Sequence, residues 1–165
     1  MSDPTPLAAM EVQLGGLLAE LGSLREAVDA FEAALSSTLP SLLARLALPR
    51  LYTALGDEAR AAAALGRLAA ALPAGAERAA TLRKLAGYHR DRGDATAAAA
   101  AFEEALQAHP RDYAALRALD LLCAASEPER LIEPLLRAFA AERDGAQRSA
   151  VGTALAVRLL RANRV

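Results

Sequence analysis

Apolar side chains recur every three or four residues along most of the chain, a spacing that places them on one face of an α-helix. The pattern begins after Thr5 and Pro6, which suit the N-cap and the first position of a helix. Its first apolar members are Leu7, Met10, Leu14, Leu17 and Leu21. Val, Ile and Thr, which favour strands, are few. The pattern therefore predicts an all-α protein.

Three segments share one order of residue types, which indicates an internal repeat. Each begins with a glycine, and Gly22, Gly56 and Gly93 are separated by 34 and 37 residues. An alanine follows after five residues, a large apolar residue after four more, and another apolar residue after a further three. These positions hold Ala27, Ala61 and Ala98, then Phe31, Leu65 and Phe102, then Ala34, Leu68 and Ala105. We expect a pair of antiparallel helices per repeat, with the alanine where the two backbones approach closely.

The first helix of each pair carries a matching stripe. Its members are Leu14 and Leu18, Leu48 and Tyr52, and Leu85 and His89. The small residues Gly15 and Ala86 follow the leucine in the first and third units, and Pro73 and Pro110 close the second and third. Pro49 occupies the small-residue position of the second unit, where it should remove a helical hydrogen bond and kink the helix.

This order of leucine, small residue, aromatic residue, glycine, alanine, large apolar residue and closing proline resembles the tetratricopeptide repeat (TPR) family over residues 8–110. His89 stands at the usual aromatic position of the third unit, and Leu82 replaces the usual tryptophan. We therefore expect an all-α fold, an α-solenoid of about four antiparallel helix pairs plus a C-terminal capping helix. The expected single TPR-like domain spans 1–165, with repeats at about 8–41, 42–78, 79–112 and 113–144 and an end helix at 145–163.

The fourth unit keeps the apolar frame but loses the glycine and small-residue positions. Its large apolar residues are Leu116, Leu119, Ile132, Leu136 and Phe139. Pro128 suits the first turn of its second helix, whereas Pro134 should bend that helix or shift its start. The end helix has a stripe at Val151, Leu155, Leu159 and Ala162, with Arg148, Arg158 and Arg161 around it. It resembles the solvating end helix common in the TPR family.

Composition and charge argue against several classes of protein. The chain has 19 basic and 20 acidic residues and a formal net charge of -1, so no basic excess points to nucleic acid. The lone Cys123 excludes a disulfide within the chain. Residues 1–6 lack the basic start and apolar core of an export signal, and the weakly charged stretch 61–76 is interrupted by Arg67 and Pro73. We expect no membrane insertion and a cytoplasmic location, in a bacterial source with a GC-rich genome.

No arrangement of catalytic or metal-ligating residues is visible in the sequence. His89 and His109 are 20 residues apart, and Cys123 has neither a second cysteine nor a nearby histidine at metal-ligand spacing. The spacing favours structural roles for all three: helix packing for His89 and Cys123, and a helix C-terminus for His109. We expect no enzyme activity, no cofactor and no bound metal.

The candidate functional surface is the inner side of the solenoid, which the first helices would line. The candidate partner-binding residues are Leu46, Arg50, Arg83, Lys84, Arg90, Arg117 and Leu121. Guanidinium groups bind acidic side chains or a terminal carboxylate bidentately, and the apolar positions would hold aliphatic side chains. The alternative interpretation is that these arginines only solvate exposed helix faces. Some TPR proteins clamp a terminal carboxylate with lysine, asparagine and arginine, but only Lys84 and Arg50 match that charge pattern here, so we do not expect binding of chaperone tails.

The sequence therefore predicts a non-catalytic protein-interaction adaptor that binds a protein or peptide with acidic or carboxylate groups in a concave groove. One alternative is a self-assembling scaffold, a homo-oligomer that uses its ends and the alanine-rich runs 61–64 and 97–101. Another alternative is a helical accessory or regulatory subunit of a larger enzyme or secretion complex.

Overall fold

In a computed structural model, residues 6–36, 41–123 and 127–162 are described, and every regular element in these ranges is a helix. Thr5 and Asn163 lie outside them. The helices are α1 (Pro6–Glu20), α2 (Leu24–Leu35), α3 (Leu42–Ala54), α4 (Glu58–Ala71), α5 (Ala76–Asp91), α6 (Ala95–Ala108), α7 (Tyr113–Cys123), a 3₁₀ segment (Pro128–Leu131), α8 (Ile132–Ala141) and α9 (Gly145–Ala162). The predicted all-α fold of four helix pairs followed by a C-terminal helix is confirmed.

The described helices form two compact units. The first contains α1 to α4, up to Ala71, and the second contains everything from Leu72 onward. Within the first unit α2 packs against α1 and α3, and α3 packs against α4. Within the second, α6 packs against α5 and α7, and α9 packs against α8 and the 3₁₀ segment.

The three repeat glycines end the first helix of their pairs in the same conformation. Gly22, Gly56 and Gly93 have φ of 80°, 73° and 78°, the left-handed region that glycine adopts without a steric penalty. The residue after each glycine donates its N–H back across the turn, from Ser23 to the Leu18 carbonyl, from Asp57 to Tyr52 and from Asp94 to His89, each at 2.9 Å. This hydrogen bond satisfies a carbonyl of the last helical turn and starts the return helix.

The alanine and large apolar positions of the repeat form the cores of the two units. The buried members are Ala27, Phe31, Ala34, Ala61, Leu65 and Leu68 in the first unit and Ala98, Phe102 and Ala105 in the second. Gly15 of α1 lies so close to α2 that an added Cβ would stand 3.0 Å from the Phe31 ring. The small residues are therefore explained by close approach between paired helices.

The alanine runs are mostly packed inward. Ala61 and Ala64 of α4, and Ala98, Ala99 and Ala101 of α6, are buried. Exposed alanines within the two runs are Ala63 and Ala100. Most of these side chains therefore serve helix packing within their own unit.

Polar contacts join the helices of the first unit. The Tyr52 hydroxyl of α3 donates to Glu32 Oε1 of α2 at 2.8 Å, and Arg67 Nη2 of α4 donates to the same oxygen at 3.1 Å. Burial, together with the hydrogen bond to the Glu32 carboxylate, raises the pKa of Tyr52. Helix α3 continues through the buried Pro49 to Ala54, and the Thr53 hydroxyl donates to the Pro49 carbonyl at 2.8 Å.

Prolines shape the second helix of the fourth unit as the sequence predicts. The 3₁₀ segment starts at Pro128, and the α-helix begins only at Ile132, so that Pro134 lies in its first turn. A first-turn N–H has no partner within its own helix, so proline is tolerated there. Of the two effects predicted for Pro134, a bend in the helix or a shift of its start, the structure shows the shifted start. Among the described residues, no helix has the length and hydropathy needed to cross a membrane.

Candidate functional site

The predicted groove residues occupy helices of both units and differ in their surroundings. In the first unit, Leu46 and Arg50 are exposed and lie one turn apart on α3. In the second unit, Arg83, Lys84 and Arg90 belong to α5, and Arg117 and Leu121 belong to α7. Lys84 and Arg117 are exposed, and Leu121 is 75% exposed.

Two of the predicted groove arginines already have carboxylate partners. Arg83 Nε lies 2.8 Å from Asp112 Oδ2, while Asp112 Oδ1 accepts the N–H of Ala115 at 3.1 Å and so caps α7. Arg83 therefore connects α5 to the start of α7. Arg90 donates through Nε and Nη2 to Asp91 Oδ1 at 3.1 and 2.9 Å.

Arg117 lines a cleft of about 530 Å³ in the second unit, which we call the α7/α9 cleft. Its walls are α7 and α9, and its floor comes from the 3₁₀ segment and α8. The buried side chains of the floor and lower walls are Leu116, Leu131, Leu135 and Val151. The α9 wall uses positions 147, 150, 151, 154, 157, 158 and 161, which share one helical face. This volume lies within the range of about 300–1,000 Å³ typical of ligand pockets.

Glu142 holds one end of the cleft in place. Its carboxylate accepts a short hydrogen bond from the Tyr113 hydroxyl of α7, and also accepts the N–H groups of Arg143 and Asp144 at 2.8 and 2.9 Å. These hydrogen bonds to the charged form, of which that from Tyr113 has the largest effect, lower the pKa of Glu142. Burial of the Tyr113 hydroxyl, together with its hydrogen bond to Glu142, raises the pKa of Tyr113. Glu142 therefore ties the first residue of α7 to the turn that precedes α9.

A close approach fixes the opposite side of α9. An added Cβ at Gly152 would stand 3.1 Å from the Phe139 ring of α8, so a larger residue would have to displace that ring. The Arg148 guanidinium lies 4.6 Å from the centre of the same ring. Helix α9 is thus held against α8, while its other face borders the cleft.

The cleft contains a buried cation. Arg158 of α9 is 8% exposed and forms an ion pair with Asp120 of α7. Its second terminal nitrogen, Nη1, is buried and has no hydrogen-bond partner among the described residues. Burial lowers the pKa of the Arg158 guanidinium, and the charge of Arg161 lowers it further. With exposed Arg117 and Arg161 beside it, the cleft has an apolar floor and an excess of positive charge.

Helix α9 is the predicted C-terminal end helix and is largely exposed, but Arg158 lies on its buried side rather than its exposed side. Val151 is buried as predicted, but Leu159 is 47% exposed and Arg158 is buried in its place. The apolar spacing assigned Leu155 and Leu159 to the packed stripe. The sequence did contain a signal for the burial of Arg158: it lies seven residues after Val151, two turns along the same helical face.

The residues considered for chemistry lie in structural positions. Cys123 is buried, which raises the pKa of its thiol. His109 is the C-cap residue of α6, and its N–H donates to the Ala105 carbonyl at 2.9 Å. His89 is half-buried in the last turn of α5. Within the described ranges, no three or more His, Cys, Asp or Glu side chains cluster closely enough to hold a metal ion.

Solved structures share this fold at low sequence identity. Crystal structures of MamA align with 92% of the chain at 15% identity, one over 80% of its own chain with a TM-score of 0.57 and another over 95% with a TM-score of 0.54. The crystal structure of YrrB, described as a TPR protein with an unusual peptide-binding site, aligns with 98% of this chain and 78% of its own, at 13% identity and a TM-score of 0.54. No protein-family model and no curated protein matches the chain. The structural similarities confirm the predicted α-solenoid fold.

Proposed function

We propose that this chain, whose fold is that of the tetratricopeptide-repeat proteins, is a non-catalytic adaptor that binds a segment of a partner protein in the α7/α9 cleft. Helical-repeat folds present extended surfaces to partners rather than enclosed reaction chambers. The proposal places the adaptor in the cytoplasm and makes its partner a protein rather than a nucleic acid, in keeping with a net charge of -1.

One observation supports this proposal above the others: the cleft combines an apolar floor with three arginines, Arg117, Arg158 and Arg161. Arg158 is buried and paired with Asp120, whereas Arg117 and Arg161 are exposed to a ligand in the cleft. Exposed guanidinium groups beside an apolar floor favour a segment that carries both acidic and apolar side chains.

The predicted groove residues outside the cleft lining differ in the role that we propose for them. Leu121 lies one turn beyond Arg117 on α7 and would offer an apolar contact to a partner segment that extends past the residues lining the cleft. Lys84 is exposed on α5 and would add positive charge for such a longer segment. Arg83 contributes by connecting α5 to the start of α7 through Asp112, whereas Arg90 stays exposed beside Asp91 on α5.

A peptide selection tests the adaptor function. We would select a random-peptide library displayed on phage against the full chain and measure affinities of the recovered peptides by calorimetry. R117E/R161E reverses both exposed cleft charges, and R25E/R92E reverses two exposed arginines outside the cleft. We expect acidic, apolar peptides whose affinity falls by about tenfold or more in R117E/R161E and changes little in R25E/R92E. Equal affinities for all three proteins would contradict the proposal.

A further inference from the structure

Helix α1 carries a second apolar face that no described helix covers. Its packed side uses Ala8 and Gly15, which are buried. On the other side, five large apolar residues are 51% to 81% exposed: Leu7, Met10, Leu14, Leu17 and Leu21, called the α1 stripe. Their spacing alternates between three and four residues, as in the seam of a coiled coil.

A helix that is apolar on both sides is normally buried on both. Single exposed leucines are ordinary on protein surfaces, but a continuous row of five is typical of an interaction surface. The α1 stripe spans 15 residues from Leu7 to Leu21, which directly follows α1, or about 21 Å at the helical rise. It therefore needs an elongated, apolar acceptor of similar length.

The charges of α1 restrict the acceptor further. Glu11 and Glu20 are the charged residues of α1, and the helix contains no basic side chain. Glu11 follows Met10 and Glu20 precedes Leu21, so at 100° per residue the two carboxylates stand on opposite edges of the stripe. An acceptor with an apolar floor and basic edges fits this pattern.

The α7/α9 cleft has these properties. Its α9 wall extends over 15 residues from Gln147 to Arg161, again about 21 Å. Its floor is apolar, and Arg117 and Arg161 are exposed on its two walls. The cleft and the α1 stripe thus match in length, apolar character and sign of charge.

We propose that the α1 stripe of one copy docks in the α7/α9 cleft of a second copy. This inference rests on the proposed function, because it names a partner for the same cleft. The two surfaces belong to different parts of the chain, so the contact is heterologous and each bound copy leaves one free stripe and one free cleft. The chain then associates head to tail into oligomers that lengthen with concentration.

Sedimentation velocity of the full chain over a range of concentrations tests the association. We expect the weight-average mass of the wild-type protein to rise beyond twice the chain mass of 17.2 kDa. Two variants each remove one surface: M10E/L17E places charges on exposed positions of the stripe, and R117E/R161E reverses the cleft arginines. A9E adds a charge to an exposed position of α1 outside the stripe, and R25E/R92E is the control for charge reversal.

The decisive measurement mixes the two defective variants. M10E/L17E keeps a working cleft and R117E/R161E keeps a working stripe, so each is expected to be monomeric alone and to form a 1:1 heterodimer with the other. Both control variants should associate like the wild-type chain. Helicity measured by circular dichroism confirms that each variant is folded.

Three results would overturn the inference. A wild-type chain that stays monomeric removes self-association altogether. A pair of variants that does not form a heterodimer, while R117E/R161E alone still dimerises, assigns the α1 stripe to a symmetric contact with itself. Variants of the stripe and the cleft that associate like the controls place the contact elsewhere. The peptide selection tests the adaptor function independently. If the selected peptides bind the cleft but the chain is monomeric, the adaptor function stands and the contact between copies is wrong. If the chain associates but no peptide is selected, the contact between copies stands and the adaptor function is wrong.

Discussion

Two neighbouring glycines in α1 test whether small residues in this chain are required by helix packing. Gly15 faces α2, where an added Cβ would meet three atoms of the Phe31 ring at 3.0 to 3.1 Å. At Gly16 an added Cβ would have no neighbouring heavy atom within 4 Å. Both residues lie in the interior of the same helix, so Gly15→Ala and Gly16→Ala differ mainly in this contact.

The expected magnitudes have opposite signs. Replacing glycine by alanine within a helix stabilises it by about 0.5–1 kcal/mol, and Gly16→Ala should show this gain. Gly15→Ala receives the same gain but pushes the Phe31 ring in a packed core, and overpacking typically costs about 1–3 kcal/mol. The two variants should therefore differ by about 1–3 kcal/mol in free energy of unfolding. That corresponds to roughly 2–4 °C in melting temperature for each kcal/mol.

Urea unfolding followed by circular dichroism measures the difference, and a double variant identifies its origin. Phe31→Leu removes the atoms that the new methyl group meets, so Gly15→Ala with Phe31→Leu should lose less stability than the two single changes added together. If Gly15→Ala is as stable as Gly16→Ala, the close approach between α1 and α2 does not explain why residue 15 is a glycine.

Two further predictions concern the turns that position the helices. The pKa of Glu142 is lowered from its ordinary value of 4.5, so its carboxylate stabilises the fold above that pH and loses this effect as pH falls through the folded pKa. Glu142→Gln should therefore lower the melting temperature at neutral pH, with a gap to wild type that narrows below pH 4.5; a gap independent of pH would contradict this. Gly56 has φ of 73°, so Gly56→Ala should destabilise the chain by about 1–2 kcal/mol in urea unfolding, and no loss would mean that the turn relaxes.

The repeat positions were predictable because they depend on local geometry. Gly22, Gly56 and Gly93 end helices in the left-handed conformation, and the alanines five residues later are buried, as the spacing predicts. The shifted start of α8 follows equally from Pro134, which lacks an N–H. In each case the constraint acts within one helical turn or between two helices joined by a short turn, so the order of residues is sufficient.

The surfaces were less predictable. The spacing places Leu14 on a packed stripe, yet it is 51% exposed, because α1 packs through Ala8 and Gly15 on its other side. Apolar spacing cannot distinguish two apolar faces of one helix. Similarly, Arg83 has the spacing of a groove residue, but Asp112, which caps the next helix α7, supplies its carboxylate partner.

The sequence by itself determined the helices, their pairing and the residues that let paired backbones approach, since these follow from side-chain size and helical period. Only the tertiary structure decided that Arg158 is buried against Asp120, that α7 and α9 border a cleft, and that the α1 stripe is uncovered. The physical reason is that burial and charge pairing depend on which helix faces meet across the chain. The helical period states which residues share a face but not what covers that face.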